Sequence, residues 1–183
     1  RLLAYSSIAH AGYILIGLAA ATQIGLSGLL YHVFNHAIMT SAAFIVATAI
    51  IHKGFKPNVE TFNGLGKIMP ITSFTFTISL LALAGLPPLN GFWSKLFLFT
   101  AAVETDMAWL AIAGVLNSAF SLGYYGWLIK RMYIDSPNNN ATQRLPENLA
   151  FTIPLIVAAA IIILTGIYPA IIYELATQAI VGL

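Results

Sequence analysis

The sequence GLPPLNG at residues 85–91 decides how this chain folds, because it interrupts the longest apolar stretch. That stretch runs from residue 70 to residue 103, far more than one membrane crossing needs at about 1.5 Å per helical residue. Two prolines and two glycines at its centre end one helix and begin another. The stretch is therefore either one discontinuous crossing or two short crossings.

The composition of the chain excludes a water-soluble globule. Of its 183 residues 59% are hydrophobic and 8% are charged, and the mean hydropathy is +0.86, whereas a soluble domain carries about a quarter charged residues. The net charge of +2 is not gathered into a basic patch, so nucleic acid is not an expected partner. Because the chain has no cysteine, we expect no cofactor in it, and any redox centre would belong to a partner chain.

The remaining apolar stretches predict an all-α, polytopic membrane helix bundle with about five crossings. The expected spans are residues 2–21, 28–51, 70–104 with a break at 86–91, 107–133 and 148–181. Counting 70–104 as one crossing gathers the basic residues on one face, as the positive-inside rule requires, with Glu104 and Asp106 on the other. Those basic residues are Arg1, Lys53, Lys56, Lys67, Lys130, Arg131 and Arg144. The loops 57–66 and 135–147 are then expected to be cytoplasmic and the C-terminus external.

Lys95 lies four residues beyond the break, within GFWSKLFLF at residues 91–99. Holding a charge near the bilayer centre costs about 2.5–3.5 kcal/mol on insertion scales, and burial disfavours the charged amine. Lys95 is therefore a candidate proton carrier. The alternative is that its side chain snorkels to the headgroup layer, but large apolar residues on both sides leave it no short exit.

His32 and His36 form a second candidate site, because residues four apart share a helical face. A zinc-protease pattern needs Glu after the first histidine, where this chain has Val33, and no third ligand is nearby, so no metal is predicted. Histidines inside membranes serve proton relays or interhelical hydrogen bonds. His36 is expected to lie deeper than His32, which makes it the stronger relay candidate.

Two further spans carry polar stripes. One is on the first span, at Tyr5, Ser6, Ser7 and His10, and the other is on the fourth, at Asn117, Ser118, Ser121, Tyr124 and Tyr125. We interpret the first stripe as hydrogen bonding between helices. The second fits either that role or a hydrated path.

Two stretches, RLLAYSSIAHAGY at residues 1–13 and LAGLPPLNGFWSKL at residues 83–96, resemble the antiporter-like membrane subunits of respiratory complex I and its relatives. The resemblance is closest to the N-type subunit and covers essentially the whole chain. The segment HVFNH at residues 32–36 is more similar to L- and M-type and cation-antiporter subunits, so the subtype stays open.

The resemblance implies a fourteen-span subunit with two inverted five-helix repeats, each holding a broken helix and half of a proton path. This chain would match the end of the second repeat and the final span, and the rest would lie upstream. Its apolar start without an initiator Met fits the second half of a longer protein. Lys95 falls on the family's lysine of the second broken helix.

Three functions follow as hypotheses. The first is proton translocation in the membrane arm of an NADH-, F420H2- or ferredoxin-driven quinone oxidoreductase, in a bacterial or archaeal cell membrane. Its partners would be other membrane subunits of a complex I-like assembly, the lipid bilayer and protons, and the chain would be a non-redox subunit. The second is a cation/proton antiporter subunit. The third is a structural segment that conducts no protons.

Overall fold

The computed structural model describes residues 1–56, 58–137 and 144–181, and within these ranges the chain is helical without strands. The expected all-α membrane helix bundle is confirmed. Its helices are α1 (Leu2–Ala20), α2 (Gln23–His52), α3 (Leu65–Ile68), α4 (Pro70–Ala84), α5 (Asn90–Glu104), α6 (Ala108–Tyr133), α7 (Leu149–Ile167) and α8 (Ala170–Val181), with a 3₁₀ turn at Val59–Phe62. Helices α1, α2 and α7 are long and apolar enough to cross a membrane, and α4 and α8 are shorter apolar helices.

Helix α2 is the centre of the bundle, in contact with α1, α4, α5, α7 and α8. Its buried face combines small residues such as Ala43 with larger ones such as Tyr31 and Met39, all fully buried. The turn before it begins with Ala21 in the left-handed region (φ 50°), and the Thr22 hydroxyl caps α2 by accepting from the Gly25 N–H at 3.0 Å. Small residues let the helix backbones approach closely.

Polar contacts gather the basic loops at one end of the bundle. The Leu145 N–H donates to the Ile68 carbonyl at 3.0 Å, and the Gly64 N–H donates to the Arg131 carbonyl at 2.9 Å. The Arg131 guanidinium also donates to the Asn63 side chain at 3.2 Å. The start of α4, the end of α6 and the start of α7 therefore share this end, and α4 and α5 together make one broken crossing. Which side is cytoplasmic stays a prediction, and residues 57 and 138–143 of the two loops lie outside the described residues.

The helix breaks differ in detail from those expected. Asn90 and Gly91 belong to α5, so the third-span break covers residues 85–89, and its Pro87–Pro88 peptide bond is cis. The stretch 148–181, expected as one span, consists of α7 and α8. Pro169 lies between them and has no N–H with which to continue the helix.

Candidate functional site

The Pro87–Pro88 pair leaves two carbonyls at the end of α4 without their usual partners. In a continuous helix, the Leu83 and Ala84 carbonyls would accept from the N–H groups four residues later. Those residues are Pro87 and Pro88, which have no N–H. A carbonyl buried without a donor is costly, so a side chain must supply one.

Lys95 supplies the missing donors. Its ammonium nitrogen, Nζ, donates to the Leu83 carbonyl at 2.8 Å, to the Ala84 carbonyl at 3.0 Å and to the Ser118 hydroxyl at 3.1 Å. The residue is 4% exposed, so the alternative in which it snorkels to the headgroup layer does not describe this structure. The C-terminal end of a helix carries partial negative charge, which favours a cation there.

Gly85 makes room for this arrangement. It ends α4 in the left-handed region, with φ 88°, which glycine adopts without strain. A Cβ added to it would lie 3.0 Å from Cδ and 3.2 Å from Nζ of Lys95. A side chain at residue 85 would therefore strain the turn and push the lysine from its carbonyls.

The three acceptors around Lys95 match both of its protonation states. An ammonium has three N–H donors, whereas a neutral amine has two donors and one lone pair. The Leu83 and Ala84 carbonyls can only accept, but the Ser118 hydroxyl can either accept or donate. When Lys95 loses a proton, the carbonyls can keep two N–H bonds while Ser118 donates to the lone pair. In both states every N–H and lone pair of the Lys95 amine has a partner.

Tyr13 completes the surroundings of Lys95. Its ring centroid lies 4.7 Å from the Lys95 Nζ. Its hydroxyl is 3.0 Å from the Ser118 hydroxyl and accepts from the Asn117 amide at 2.9 Å. Helix α1 thus joins α5 and α6 at the amine.

Three histidines form a cluster on the other side of Tyr13. The His10 Nδ1 lies 3.0 Å from the His32 Nε2, and the His32 Nδ1 lies 2.8 Å from the Ser94 hydroxyl. The His36 ring stacks on His10, with centroids 4.6 Å apart and an interplanar angle of 11°. Neutral imidazole can accept and donate, so linked rings of this kind can pass a proton.

The three histidines of the cluster differ in how far they are buried inside the bundle. His32 is fully buried, whereas His36 is half-buried and its ring is 3.1 Å from the Thr40 hydroxyl. The greater depth of His36 in the membrane stays a prediction, since these exposures measure burial inside the bundle and not depth along the span.

His10, Tyr13 and Ser118 belong to the site although sequence reasoning did not place them there. The polar stripe of the first span predicts that His10 joins helices. It does so, and its partner is the candidate site residue His32. The available signal was the spacing of three between His10 and Tyr13, which puts both on one face of α1.

The break also carries a buried amide pair. The Asn35 amide donates to the Asn90 backbone carbonyl and the Asn90 amide donates to the Asn35 side-chain oxygen, both at 3.1 Å. Among the described residues, the Asn90 side-chain oxygen has no hydrogen-bond partner. Buried polar atoms of this kind are commonly hydrated.

Comparison with known proteins assigns this arrangement to a family. The sequence model described as "NADH:quinone oxidoreductase/Mrp antiporter, TM" matches residues 1–121, about two thirds of the chain. The chain belongs to this family. The resemblance drawn from the two motifs is confirmed.

Individual relatives agree. The chain is 37% identical to F420H2 dehydrogenase subunit N of Methanosarcina mazei and 41% identical to NADH-quinone oxidoreductase subunit N of Trichlorobacter lovleyi, with 98% of the chain aligned in each case. The chain spans 38% and 37% of the length of these two relatives.

Solved structures show the same fold. A chain of respiratory complex I from Thermus thermophilus matches with a TM-score of 0.77 and 30% identity, covering 95% of this chain and 39% of that one. A chain of the Mrp complex from Dietzia matches with a TM-score of 0.82 and 22% identity, covering 97% of this chain and 41% of that one.

Proposed function

We propose that this chain forms part of a proton path in the membrane arm of a redox-driven quinone oxidoreductase complex, with Lys95 as the residue that takes up and releases the proton. One observation carries the proposal: the buried Lys95 amine has a shell of acceptors that suits its charged and neutral forms alike. A lysine with a purely structural role would need only the charged form.

Among the described residues, the hydrogen-bond partners of the Lys95 amine include no carboxylate, which supports the same function. The Lys95 Nζ is held by two carbonyls and a hydroxyl. An ion pair between Lys130 and Asp135, at 3.2 Å, lies at the basic end of the bundle. A buried carboxylate would hold the ammonium charged. Without one, the proton is free to leave when a nearby charge changes, because interactions in a low-dielectric interior are weakly screened.

His32, His10 and His36 would relay protons to or from this amine. Tyr13 lies between the two groups, with its ring 5.4 Å from the His10 ring and 5.9 Å from the His32 ring. Water at the break would bridge the remaining gap, since irregular backbone at membrane depth commonly lines hydrated cavities.

The names of the relatives support a place for this chain in a redox-driven membrane complex. They are subunits of F420H2 dehydrogenase and of NADH-quinone oxidoreductase, from an archaeon and a bacterium. The proposed location is therefore the cell membrane, and the proposed partners are other membrane subunits of a complex I-like assembly. Electron transfer would take place in those partners, with no cofactor in this chain.

The test is redox-driven proton uptake by membrane vesicles containing the assembled complex with the full-length protein. Lys95→Ala is expected to lower uptake at least tenfold relative to electron transfer. Lys95→Arg is expected to do the same, because it keeps a buried cation that does not release its proton. Lys130→Ala, at a lysine whose side chain is 58% exposed, is the matched control and should pump normally. Normal uptake with Lys95→Ala would refute the proposal.

A cation/proton antiporter subunit is the second candidate, because the matching family also includes Mrp antiporters. Vesicles without an electron donor distinguish the two functions. Exchange of Na⁺ or K⁺ for protons under that condition, lost with Lys95→Ala, would favour the antiporter. Uptake that requires electron transfer would favour the redox-driven pump.

A further inference from the structure

Tyr13 is a buried side chain that the proton exchange proposed above does not use. It is 3% exposed and lies between Lys95 and the histidine cluster. Its ring is 4.7 Å from the Lys95 Nζ, and it meets the His10 and His32 rings at interplanar angles of 90° and 82°. One ring therefore contacts both groups that would carry the proton.

Two side chains of α6 fix the orientation of this ring. The Tyr13 hydroxyl is 3.0 Å from the Ser118 hydroxyl and accepts from the Asn117 amide at 2.9 Å. Phe99 packs against the ring, with centroids 5.9 Å apart. The ring is held at both ends, by its backbone in α1 and by its hydroxyl on α6, and cannot turn away from Lys95 without losing these bonds.

The position of the ring bears on the charge of Lys95. An ammonium is attracted by the negative face of an aromatic ring, and a neutral amine is not. The attraction is larger where water is excluded. We propose that Tyr13 is a positioning residue that favours the charged form of Lys95 and thereby sets the pH range over which Lys95 exchanges protons. This inference rests on the proposed function.

Other groups face Lys95 as well. The titratable rings of His10 from α1 and His32 from α2 lie against Tyr13, with centroids 5.4 Å and 5.9 Å from its ring centroid. Helix α4 presents only backbone carbonyls, and α6 presents the Ser118 hydroxyl. The test must therefore separate loss of the Tyr13 ring from general disturbance of this cluster.

The experiment measures proton uptake per electron transferred, as a function of pH, in vesicles with the assembled complex. Tyr13→Leu removes the ring, so Lys95 should lose its proton more readily. The pH at which uptake falls to half on the alkaline side should move down by about 1.5 units, the size expected for a desolvated cation–π contact. Tyr13→Phe keeps the ring but loses the hydroxyl bonds to Ser118 and Asn117, so its half-uptake pH should move less than that of Tyr13→Leu.

Phe99→Leu is the packing control, because it removes a ring that touches Tyr13. Its half-uptake pH should equal that of the wild type. An unchanged half-uptake pH for Tyr13→Leu would overturn the inference, as would an equal downward shift in Phe99→Leu or Tyr13→Phe. If the leucine variant fails to assemble, Tyr13→Met, which also lacks a ring, takes its place under the same criteria.

The two proposals fail separately. Full uptake with Lys95→Ala removes the proposed function, whatever the Tyr13 variants do. Loss of uptake with Lys95→Ala, together with an unmoved pH profile for Tyr13→Leu, leaves the proposed function standing and removes only the role of Tyr13.

Discussion

Replacing Gly166 with alanine tests whether the two helix breaks pack directly on each other. The Gly166 carbonyl accepts from the Trp93 indole at 2.7 Å. A Cβ added to Gly166 would overlap the Pro88 carbonyl oxygen and lie 2.7 Å from the Leu89 Cα and 2.8 Å from the Asn90 nitrogen. All three are backbone atoms, so the overlap is relieved only if one break moves as a unit.

The expected cost follows from these contacts. The two distances to Leu89 and Asn90 are at least 0.6 Å below the 3.4 Å at which ordinary van der Waals contact begins. Overpacking of this kind costs about 1–3 kcal/mol, and loss of the Trp93 hydrogen bond adds about 1 kcal/mol. Alanine regains up to about 1 kcal/mol of helix propensity. The net expectation is a loss of about 1–4 kcal/mol, which lowers the melting temperature by about 2–16 °C for a chain of this size.

The assay is thermal unfolding of the purified complex, followed by proton uptake in vesicles. The Gly166→Ala complex should unfold at a lower temperature and take up fewer protons than the wild type, because moving the break displaces the carbonyls that hold Lys95. Gly123→Ala is the matched control, since the structure shows no atom within 4 Å of a Cβ at that position in α6. Wild-type melting and uptake in Gly166→Ala would refute the packing of one break on the other.

Two further predictions concern stability. Glu147→Gln should destabilise the fold by about 1 kcal/mol in thermal unfolding. The reason is that the Glu147 carboxylate accepts from the Ile71 N–H at 3.0 Å and from the Thr72 N–H at 2.7 Å at the start of α4. Unchanged unfolding would contradict this anchoring role. A double-mutant cycle of Asn35→Ala and Asn90→Ala should give a coupling energy of about 0.6–1.7 kcal/mol, the range measured for hydrogen bonds between membrane helices. Coupling near zero would mean that the amide pair contributes nothing.

The breaks show what the sequence can predict and what it cannot. A proline removes an N–H wherever it stands, so the third-span break could be located from Pro87 and Pro88 alone. Pro169 carries the same information, but the apolar run continues past it on both sides. Hydropathy therefore merged α7 and α8 into one span.

The site was predictable only in part for a different reason. Lys95 is conspicuous because a charge inside an apolar run is costly. That it binds the Leu83 and Ala84 carbonyls depends on how α5 packs against α4. The histidine cluster likewise depends on the register of α1 against α2, and helices that are apolar on all sides carry little pattern that fixes a register.

In the final span, as in the third, side chains donate hydrogen bonds to backbone carbonyls at the helix break, but the donors are different. Pro169 deprives the Thr165 carbonyl of its partner, and the Tyr31 hydroxyl donates to that carbonyl at 3.1 Å. Next to it, the Trp93 indole donates to the Gly166 carbonyl at 2.7 Å. A phenol and an indole keep their hydrogens near neutral pH. The break at residues 168–169 is therefore held by donors whose charge does not change.

The break at residues 85–89 is held by an amine, whose charge can change. When Lys95 is deprotonated, its two remaining N–H groups suffice for Leu83 and Ala84, and the adjustment falls on the Ser118 hydroxyl, which must turn to donate. The Tyr13 hydroxyl, which bonds to the Ser118 hydroxyl, must then reorient as well. Proton release from Lys95 thus requires two hydroxyls to reorient and no helix to move, so we expect the state of the path to be set by side-chain hydrogen bonds and water at the α1–α6 interface.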